Sequence, residues 1–478
     1  GFITATALAL VLNRVGIPVV LGGIHISAVP EDVDRFIRNY VPDPDRVVHV
    51  VGPADSQVVD TLLQDLNGGT LKRTYTGVTT IEDGVWGAQN VNKLPKAAPE
   101  GIFSWLPLIG KHLNTQAQVN STTPFLGCPY SCSFCSISSL QEDQRRLTKR
   151  TPADFVAELA SYQKGGITFR NRFFYFLPDN LLLGGGDLEA TLDAIIESDL
   201  RVNYSAQISI DVAHRPDLRK KLRQSGATQL FIGFESLILE DLQAIGKTFL
   251  IKRIQKSGLN VRAYYAQAIK TLQAEGFSIC GAFIFGLPGN YFHDLEHHTG
   301  RDVADFCNEH HLSLQATVLA DLPGSLDFKQ RHDSGSPSHQ QQNPMDYFLS
   351  LNSCDLTESN KQDIPPALHG SPLIATYLAY DATLRVADGY RPMAPFFTGW
   401  RAPKGGGRWG VWERLVDGFA AYGFQKAFVD QYAYCYNSVV RSNNKVRGSF
   451  ERLLAAEKNP QVRSLFQPVI DQLDSGKR

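Results

Sequence analysis

Between about residues 118 and 319 the chain alternates short apolar runs with helical patterns, and this constrains its fold more than any other feature. Gln118–Thr122, Phe173–Leu177, Asn203–Ile210, Leu230–Gly233, Ser278–Phe285 and Ser313–Leu319 read as strands. Pro152–Gln163, Leu188–Glu197, Pro216–Gln224, Ala263–Ala274 and Leu295–Asn308 read as helices between them. A strand can return parallel to its predecessor only through a long crossover, usually a helix. The alternation therefore predicts a parallel sheet in an α/β protein. Six such units predict a partial TIM-like barrel, with chemistry at the carboxyl ends of the strands.

A shorter alternation precedes it. Residues 4–15 read as a helix stopped at Gly16, followed by the strand Ile17–Gly23 and a helix over Pro30–Asn39. The strand Arg46–Val51, ending at Gly52, and a helix over Ser56–Leu66 come next. This is the pattern of a Rossmann-like lobe, whose ligand is expected at the strand carboxyl ends near Gly22, Gly23 and Gly52. The expected domains are 1–95 for this lobe, 96–117 for a linker and 118–325 for the barrel. A polar loop over 326–370 and a mainly helical unit over 371–478, closing over the barrel mouth, complete the expected order. The chain opens at Gly1 inside a helical pattern, so its natural N-terminus is expected upstream.

After the first barrel strand comes Gly127-Cys128-Pro129-Tyr130-Ser131-Cys132-Ser133-Phe134-Cys135, which holds three of the seven cysteines in a Cys-x3-Cys-x2-Cys spacing. A four-iron cluster has four irons that each need an outer ligand, and three thiolates from one loop leave one iron open. An open metal position can bind a reactant, as in catalytic zinc sites. A zinc reading needs a fourth ligand, and the nearest candidates, His112 and Cys280, lie on other segments. A structural Cys loop in a non-catalytic protein is the remaining alternative.

Composition narrows the class. Hydrophobic residues are 43%, charged residues 20% and net charge is −1, so nucleic acid is not an expected partner. Few, clustered cysteines argue for a reducing compartment, and a cytoplasmic location is expected. The longest apolar stretch, Ile3 to Gly23, is broken by Asn13-Arg14 and Pro18, so no membrane span is expected.

The cysteine loop and the elements behind it resemble the radical S-adenosylmethionine (SAM) superfamily, in its cobalamin-associated class, over residues 118–325. The resemblance implies a [4Fe-4S] cluster on Cys128, Cys132 and Cys135, with SAM on the open iron. It implies that Phe134 packs against adenine and that Asp179 and Asn180, in Phe176-Leu177-Pro178-Asp179-Asn180, receive the SAM amino group. The same pair could instead cap the following turn. Gln207 and Ser209 share one strand face and line the interior, with Asp211 nearby. Glu235, in Phe231-Ile-Gly-Phe-Glu-Ser236, is expected to contact SAM or substrate, and Gly281 and Gly286 belong to the adenine-side strand and its turn. Leu322-Pro-Gly-Ser325 resembles the turn after the sixth strand.

The segment Val19–Pro30, with Gly22, Gly23 and His25, resembles the cobalamin-binding domain of such enzymes, making cobalamin a candidate further cofactor. Gly52-Pro53-Ala54-Asp55-Ser56 departs from the family's acidic turn. The implied activity is reductive cleavage of SAM and hydrogen abstraction from an unactivated carbon of a small-molecule substrate, with methyl transfer or, alternatively, cyclisation or rearrangement. The implied electron donor is a flavodoxin or ferredoxin.

Other matches are weaker. Gly246-Lys247-Thr248 lacks the preceding glycine of a phosphate loop, and Lys247 reads as a helix-end charge. His293 and His297, at i,i+4 spacing, read as a solvated helix face, and Gly184-Gly-Gly186 as a flexible turn. The tryptophan- and glycine-rich stretch from Trp400 to Trp412 reads as a loop with packed tryptophans.

Overall fold

The computed structural model describes residues 2–23, 26–27, 30–52, 56–76, 120–139, 148–163, 172–294, 296–319, 322, 324–327, 372–389, 391, 394–395, 397–398, 414–425, 454–455, 460 and 463–464. Two compact units divide the chain. One takes in Gly1–Ile81, Pro129–Arg146 and Leu319–Pro372, the other Glu82–Cys128, Leu147–Val318 and Leu373–Arg478. The division runs through the cysteine loop, between Cys128 and Pro129. The domain boundaries expected at 95–117 lie outside the described residues.

In the first unit, α1 (Phe2–Arg14), β1 (Val19–Leu21), α2 (Pro30–Tyr40), β2 (Val47–Val51), α3 (Ser56–Gly68) and β3 (Thr74–Thr76) form a parallel sheet in the order β1-β2-β3. Strand β2 is buried on both faces, as an α/β sheet requires. Val47 joins a core with Val19, Leu21, Val33 and Ile37, while Val48 and Val50 join another with Val58, Leu62 and Tyr75. The alternation read from the sequence is thus an α/β lobe, with β3 as a further strand inside the expected 1–95 lobe.

The second unit carries β4 (Asn120–Thr122), β7 (Phe173–Phe176), β8 (Asn203–Gln207), β9 (Ala227–Glu235), β10 (Ser278–Phe285) and β11 (Ser313–Val318). They form one six-stranded sheet whose spatial order follows the sequence, every pair parallel. This is the expected partial barrel. The helices between are α4 (Pro152–Tyr162), α5 (Gly185–Glu197), α6 (Pro216–Ser225), α7 (Leu239–Ala244), α8 (Thr248–Ser257), α9 (Val261–Ala274) and α10 (Thr299–Glu309). Sequence periodicity did not single out α7 and α8, which are only 6 and 10 residues long. A short antiparallel pair, β5 (Phe125–Leu126) with β6 (Thr148–Lys149), was also unforeseen.

Strand parity assigns the two faces of the sheet. Phe174 and Phe176 turn towards α4, with edge contacts to Tyr162 at 5.5 Å and Phe155 at 5.1 Å between ring centroids. Phe173 and Tyr175 turn the other way and meet Phe424, at 6.0 and 5.3 Å. On that inner face the Ser205 hydroxyl donates to Gln229 Oε1 at 2.9 Å.

Phe424 belongs to a helix over 414–425 that closes the amino ends of the strands. Asn203, the first residue of β8, donates to Asp417 Oδ1 at 2.8 Å, and Gln425 Nε2 donates to the His311 carbonyl at 2.8 Å, just before β11. This corrects the expectation that the C-terminal helices close over the mouth: this one plugs the opposite end. A further described helix, α11 (Pro372–Gly389), lies along α10, where Asn308 Nδ2 donates to the Arg385 carbonyl at 3.1 Å. No helix among the described residues is long and apolar enough to cross a membrane.

The plug is held by a buried ion pair, Arg223 Nη2 to Asp417 Oδ2 at 2.9 Å, with the guanidinium also over the Phe277 ring. Removing one partner strands a buried charge, so Arg223→Met should destabilise the protein by about 3–5 kcal/mol. The double change Arg223→Met with Asp417→Leu should recover most of that loss. Urea unfolding of the two variants checks both outcomes.

Candidate active site

Because the strands run parallel in sequential order, residues leaving their carboxyl ends gather at one rim. The cysteine loop begins there, just after β5. Its first turn is fixed by Asp179, which follows β7: Oδ2 accepts the Gly127 N–H at 2.6 Å. Gly127 has a φ of 100° and precedes Cys128 directly. Burial pushes the Asp179 carboxyl above its ordinary value, and the Gly127 bond partly holds it back. Among the described residues no cation pairs with Asp179.

The foot of the loop is clamped by β6 and α4. The buried Arg150 donates to Asp154 Oδ2 at 2.9 Å and pairs with Glu158, which accepts the Thr122 hydroxyl at 2.9 Å. Phe125, 1% exposed, lies against Gly184, where an added Cβ would stand 2.7 Å from its ring. Gly184 is therefore a packing residue ahead of α5, which corrects the flexible-turn reading. In the first unit the Cys135 N–H donates to the Cys132 carbonyl at 3.1 Å, closing the turn that carries Phe134. Cys128, Cys132, Cys135 and Phe134 are each half-exposed.

Asn180 joins two strand ends. Its Oδ1 accepts the Leu182 N–H at 3.2 Å, the turn-capping role foreseen as an alternative, and also the Ser209 N–H at 3.1 Å. The Ser209 hydroxyl donates to Asp211 Oδ2 at 3.2 Å, and Arg253 of α8 reaches Asp211 Oδ1 at 3.3 Å. Asp179, Asn180, Ser209 and Asp211 thus form a continuous rim over β7 and β8. Gln207, exposed at the end of β8, makes none of these bonds.

At the end of β9 the pairing with β10 slips, and Glu235 takes a φ of 64°. Such a bulge re-aims a side chain. The Glu235 carboxylate folds back over Gly233, where a Cβ would stand 2.4 Å from Oε1, and Lys247 Nζ meets Oε1 at 2.9 Å. Lys247 is therefore the partner of Glu235, a correction to its reading as a helix-end charge.

Sequence reasoning missed Asp241. This fully buried carboxylate accepts from the Ser236 hydroxyl at 2.6 Å, the Gly289 N–H at 2.5 Å and Asn290 Nδ2 at 3.0 Å. Asn290 Oδ1 in turn accepts the Gly286 N–H at 3.0 Å. Asp241 thereby ties the turn after β9 to the glycine turn after β10, and its acidic position in the first turn of α7 was the available signal. Gly281 is elsewhere. It sits four residues before the strand end, where an added Cβ would meet the stacked rings of Phe234 and Phe283 at 3.1 Å.

Two further readings change. His293 and His297 lie in a loop before α10, bonded as a turn, His293 N–H to His297 carbonyl at 3.0 Å, with the His297 ring on Asp294. Their spacing is thus not helical. Cys280 is buried in β10, and desolvation pushes its thiol up to about 12, unsuited to metal ligation at neutral pH. The stretch from Trp400 to Trp412 and His25 lie outside the described residues.

In the first unit, the strand ends near Gly22, Gly23 and Gly52 are clasped by Ser27, whose hydroxyl donates to the Gly23 carbonyl at 3.0 Å and accepts the Gly52 N–H at 2.9 Å. Gly23 has a φ of 116°, and among the described residues a Cβ there would meet nothing within 4 Å.

Residues 122–300 match the Radical SAM superfamily model. The chain is 24% identical to bacteriochlorophyllide d C-8(2)-methyltransferase of Chlorobaculum tepidum over 67% of its length and 63% of the relative's. It is 27% identical to hopanoid C-2 methylase of Rhodopseudomonas palustris over 57% of its length and 45% of the relative's. The chain therefore spans less than two thirds of these relatives. Among solved structures it resembles the radical SAM methyltransferase TsrM of Kitasatospora setae, solved with cobalamin and a [4Fe-4S] cluster, at 14% identity and a TM-score of 0.49, covering 86% of this chain and 81% of that one. The likeness to the radical SAM superfamily thus covers residues 122–300, and a [4Fe-4S] cluster is the group that the three-cysteine loop would hold.

The residues present suit that cluster by donor chemistry: three half-exposed cysteines stand in one loop whose start is hydrogen-bonded to the barrel rim. Among the described residues no group of three or more His, Cys, Asp or Glu is arranged as a preformed metal site. Metal sites commonly gather their ligands on binding.

Two outcomes follow for the rim. Asp179→Ala leaves the Gly127 N–H without its acceptor and should lower stability by about 1 kcal/mol, read by urea unfolding. Desolvation raises the Asp241 carboxyl above its ordinary value of 3.8, with its three hydrogen bonds acting the other way. The folded state therefore keeps that proton to higher pH than the unfolded chain, and this group's contribution to stability declines as pH rises from 3.8 through the folded value. Asp241→Asn should remove that decline, as comparison of unfolding midpoints across the acid range would reveal.

Proposed function

We propose that this chain is a radical SAM enzyme that methylates an unactivated carbon of a small-molecule substrate. The carrying observation is the Cys128-x3-Cys132-x2-Cys135 loop after the first barrel strands, with its start hydrogen-bonded to Asp179. Cys128, Cys132 and Cys135 would hold the cluster. When bound, the cluster and SAM supply a 5′-deoxyadenosyl radical able to remove hydrogen from carbon. Phe134 offers an aromatic face for adenine, Asp179 a carboxylate for the SAM ammonium, and the Gly286 turn close backbone approach. Asn180 and Ser209 hold the rim between them, with Gln207 beside them. The plug over 414–425 seals the amino end of the barrel with side chains, which keeps water from that side.

Methylation is favoured over cyclisation or rearrangement by the named activities of the relatives, each a methyltransferase or methylase. Cobalamin is the proposed further cofactor of the first unit, against Gly22, Gly23 and the loop carrying His25. A cytoplasmic location and a flavodoxin or ferredoxin as electron donor complete the reading, consistent with oxygen-sensitive cluster chemistry.

The test is anaerobic reconstitution followed by reduction in the presence of SAM. We expect 5′-deoxyadenosine from the wild type and background levels from the Cys128/Cys132/Cys135 triple-Ala variant. Equal formation by both would sink the proposal.

A further inference from the structure

We infer that the outward face of α8 is a docking surface for an anionic lipid membrane, which the adjoining barrel rim then faces. The inference goes beyond the function proposed above and does not depend on it, since neither the cluster nor SAM takes part.

Between Asp241 and Glu275 the chain carries no acidic residue and six basic ones, Lys247, Lys252, Arg253, Lys256, Arg262 and Lys270, in a protein whose net charge is only −1. Helix α8 lies within that stretch. Its Leu250, Ile251 and Ile254 are buried and anchor it. On the opposite side Phe249, Lys252, Arg253 and Lys256 stand at i, i+3, i+4 and i+7, forming one stripe, and all four are exposed. Phe249 opens the stripe at 63% exposure, and Leu259, 37% exposed, follows its end just past the left-handed Gly258. The helix sits at the rim. Lys247, just before it, meets Glu235 at the end of β9, and Arg253 reaches Asp211 beyond β8.

Charged faces elsewhere on the barrel mix signs: on α5 and α6, Lys221 pairs with Asp193 at 2.7 Å and Arg215 with Glu189 at 3.0 Å. On α8, Lys252 and Lys256 pair with no carboxylate among the described residues. Such a face is complementary to a negative surface. Two features favour lipid over an acidic protein. The charges come chiefly as lysine ammoniums, which attract as point charges and need no fixed carboxylate geometry. Bulky apolar side chains flank them at both ends, where they can enter the boundary between headgroups and acyl chains.

The experiment measures flotation of the whole cluster-loaded chain with vesicles of phosphatidylcholine alone or mixed equally with phosphatidylglycerol. Binding to the mixed vesicles should be at least about tenfold tighter than to phosphatidylcholine, and should fall as salt is raised. Lys252→Gln with Lys256→Gln should weaken it about 30-fold, each lysine near an anionic leaflet being worth about fivefold. Phe249→Ser should weaken it about fivefold with the salt dependence kept. These side chains are exposed, so the variants should unfold at the wild-type urea midpoint. Equal binding to both kinds of vesicle, binding to neither, or full binding by the double lysine variant would overturn the inference. So would capture of a purified acidic flavodoxin in place of the vesicles, lost in the same variant, which would assign the stripe to a protein partner.

Discussion

The second unit depends on one constraint: six strands run parallel, and their order in space is their order in the chain. Each strand must then exit at the same rim, and each helix must return on the same side. Asp179, Ser209, Glu235 and Gly286 are far apart in sequence, yet each follows or ends a strand of this sheet. Antiparallel pairing would have sent alternate members of this set to the opposite end. The site is therefore a consequence of topology before it is a consequence of any individual contact.

Polar groups at that rim are joined chiefly by hydrogen bonds that cross from one strand end to the next. Asp179 reaches back to Gly127, Asn180 to Ser209, and Asp241 to Gly289 and Asn290. Each bridge spans a gap that backbone pairing cannot close, because the strands have ended. Loops would otherwise be free to move at the point where a ligand must be held, and buried, fully used acceptors such as Asp241 oppose that freedom. The amino end is treated differently. There a helix carrying Asp417, Phe424 and Gln425 fills the opening with an ion pair, an aromatic ring and an amide.

Short helices explain much of what the sequence concealed. The two helices α7 and α8 carry Asp241, Lys247 and Arg253, which engage Ser236, Glu235 and Asp211. At 6 residues α7 shows too few turns for periodicity to stand out. Lys247 was visible as a residue beside a glycine but not as a partner of Glu235, since an ion pair 12 positions apart leaves no local pattern. His293 and His297 erred the other way: a helical spacing occurred by chance in a turn closed by His293 N–H on the His297 carbonyl.

By itself the sequence determined the α/β class, the strand order's raw material and the cysteine loop, because hydrophobic period and short motif spacing are local properties. The fifth strand, Ser278–Phe285, agreed to the residue, being buried along nearly its whole length, whereas Leu230–Gly233 is only the middle of β9, Ala227–Glu235. Tertiary structure alone decided which groups meet: Asp179 with Gly127, Glu235 with Lys247, Asp241 with the glycine turn, and the C-terminal helix with the amino end of the barrel and not its mouth. Those pairings arise from chain reversals through whole helices, so the distance along the chain carries no record of the distance in space.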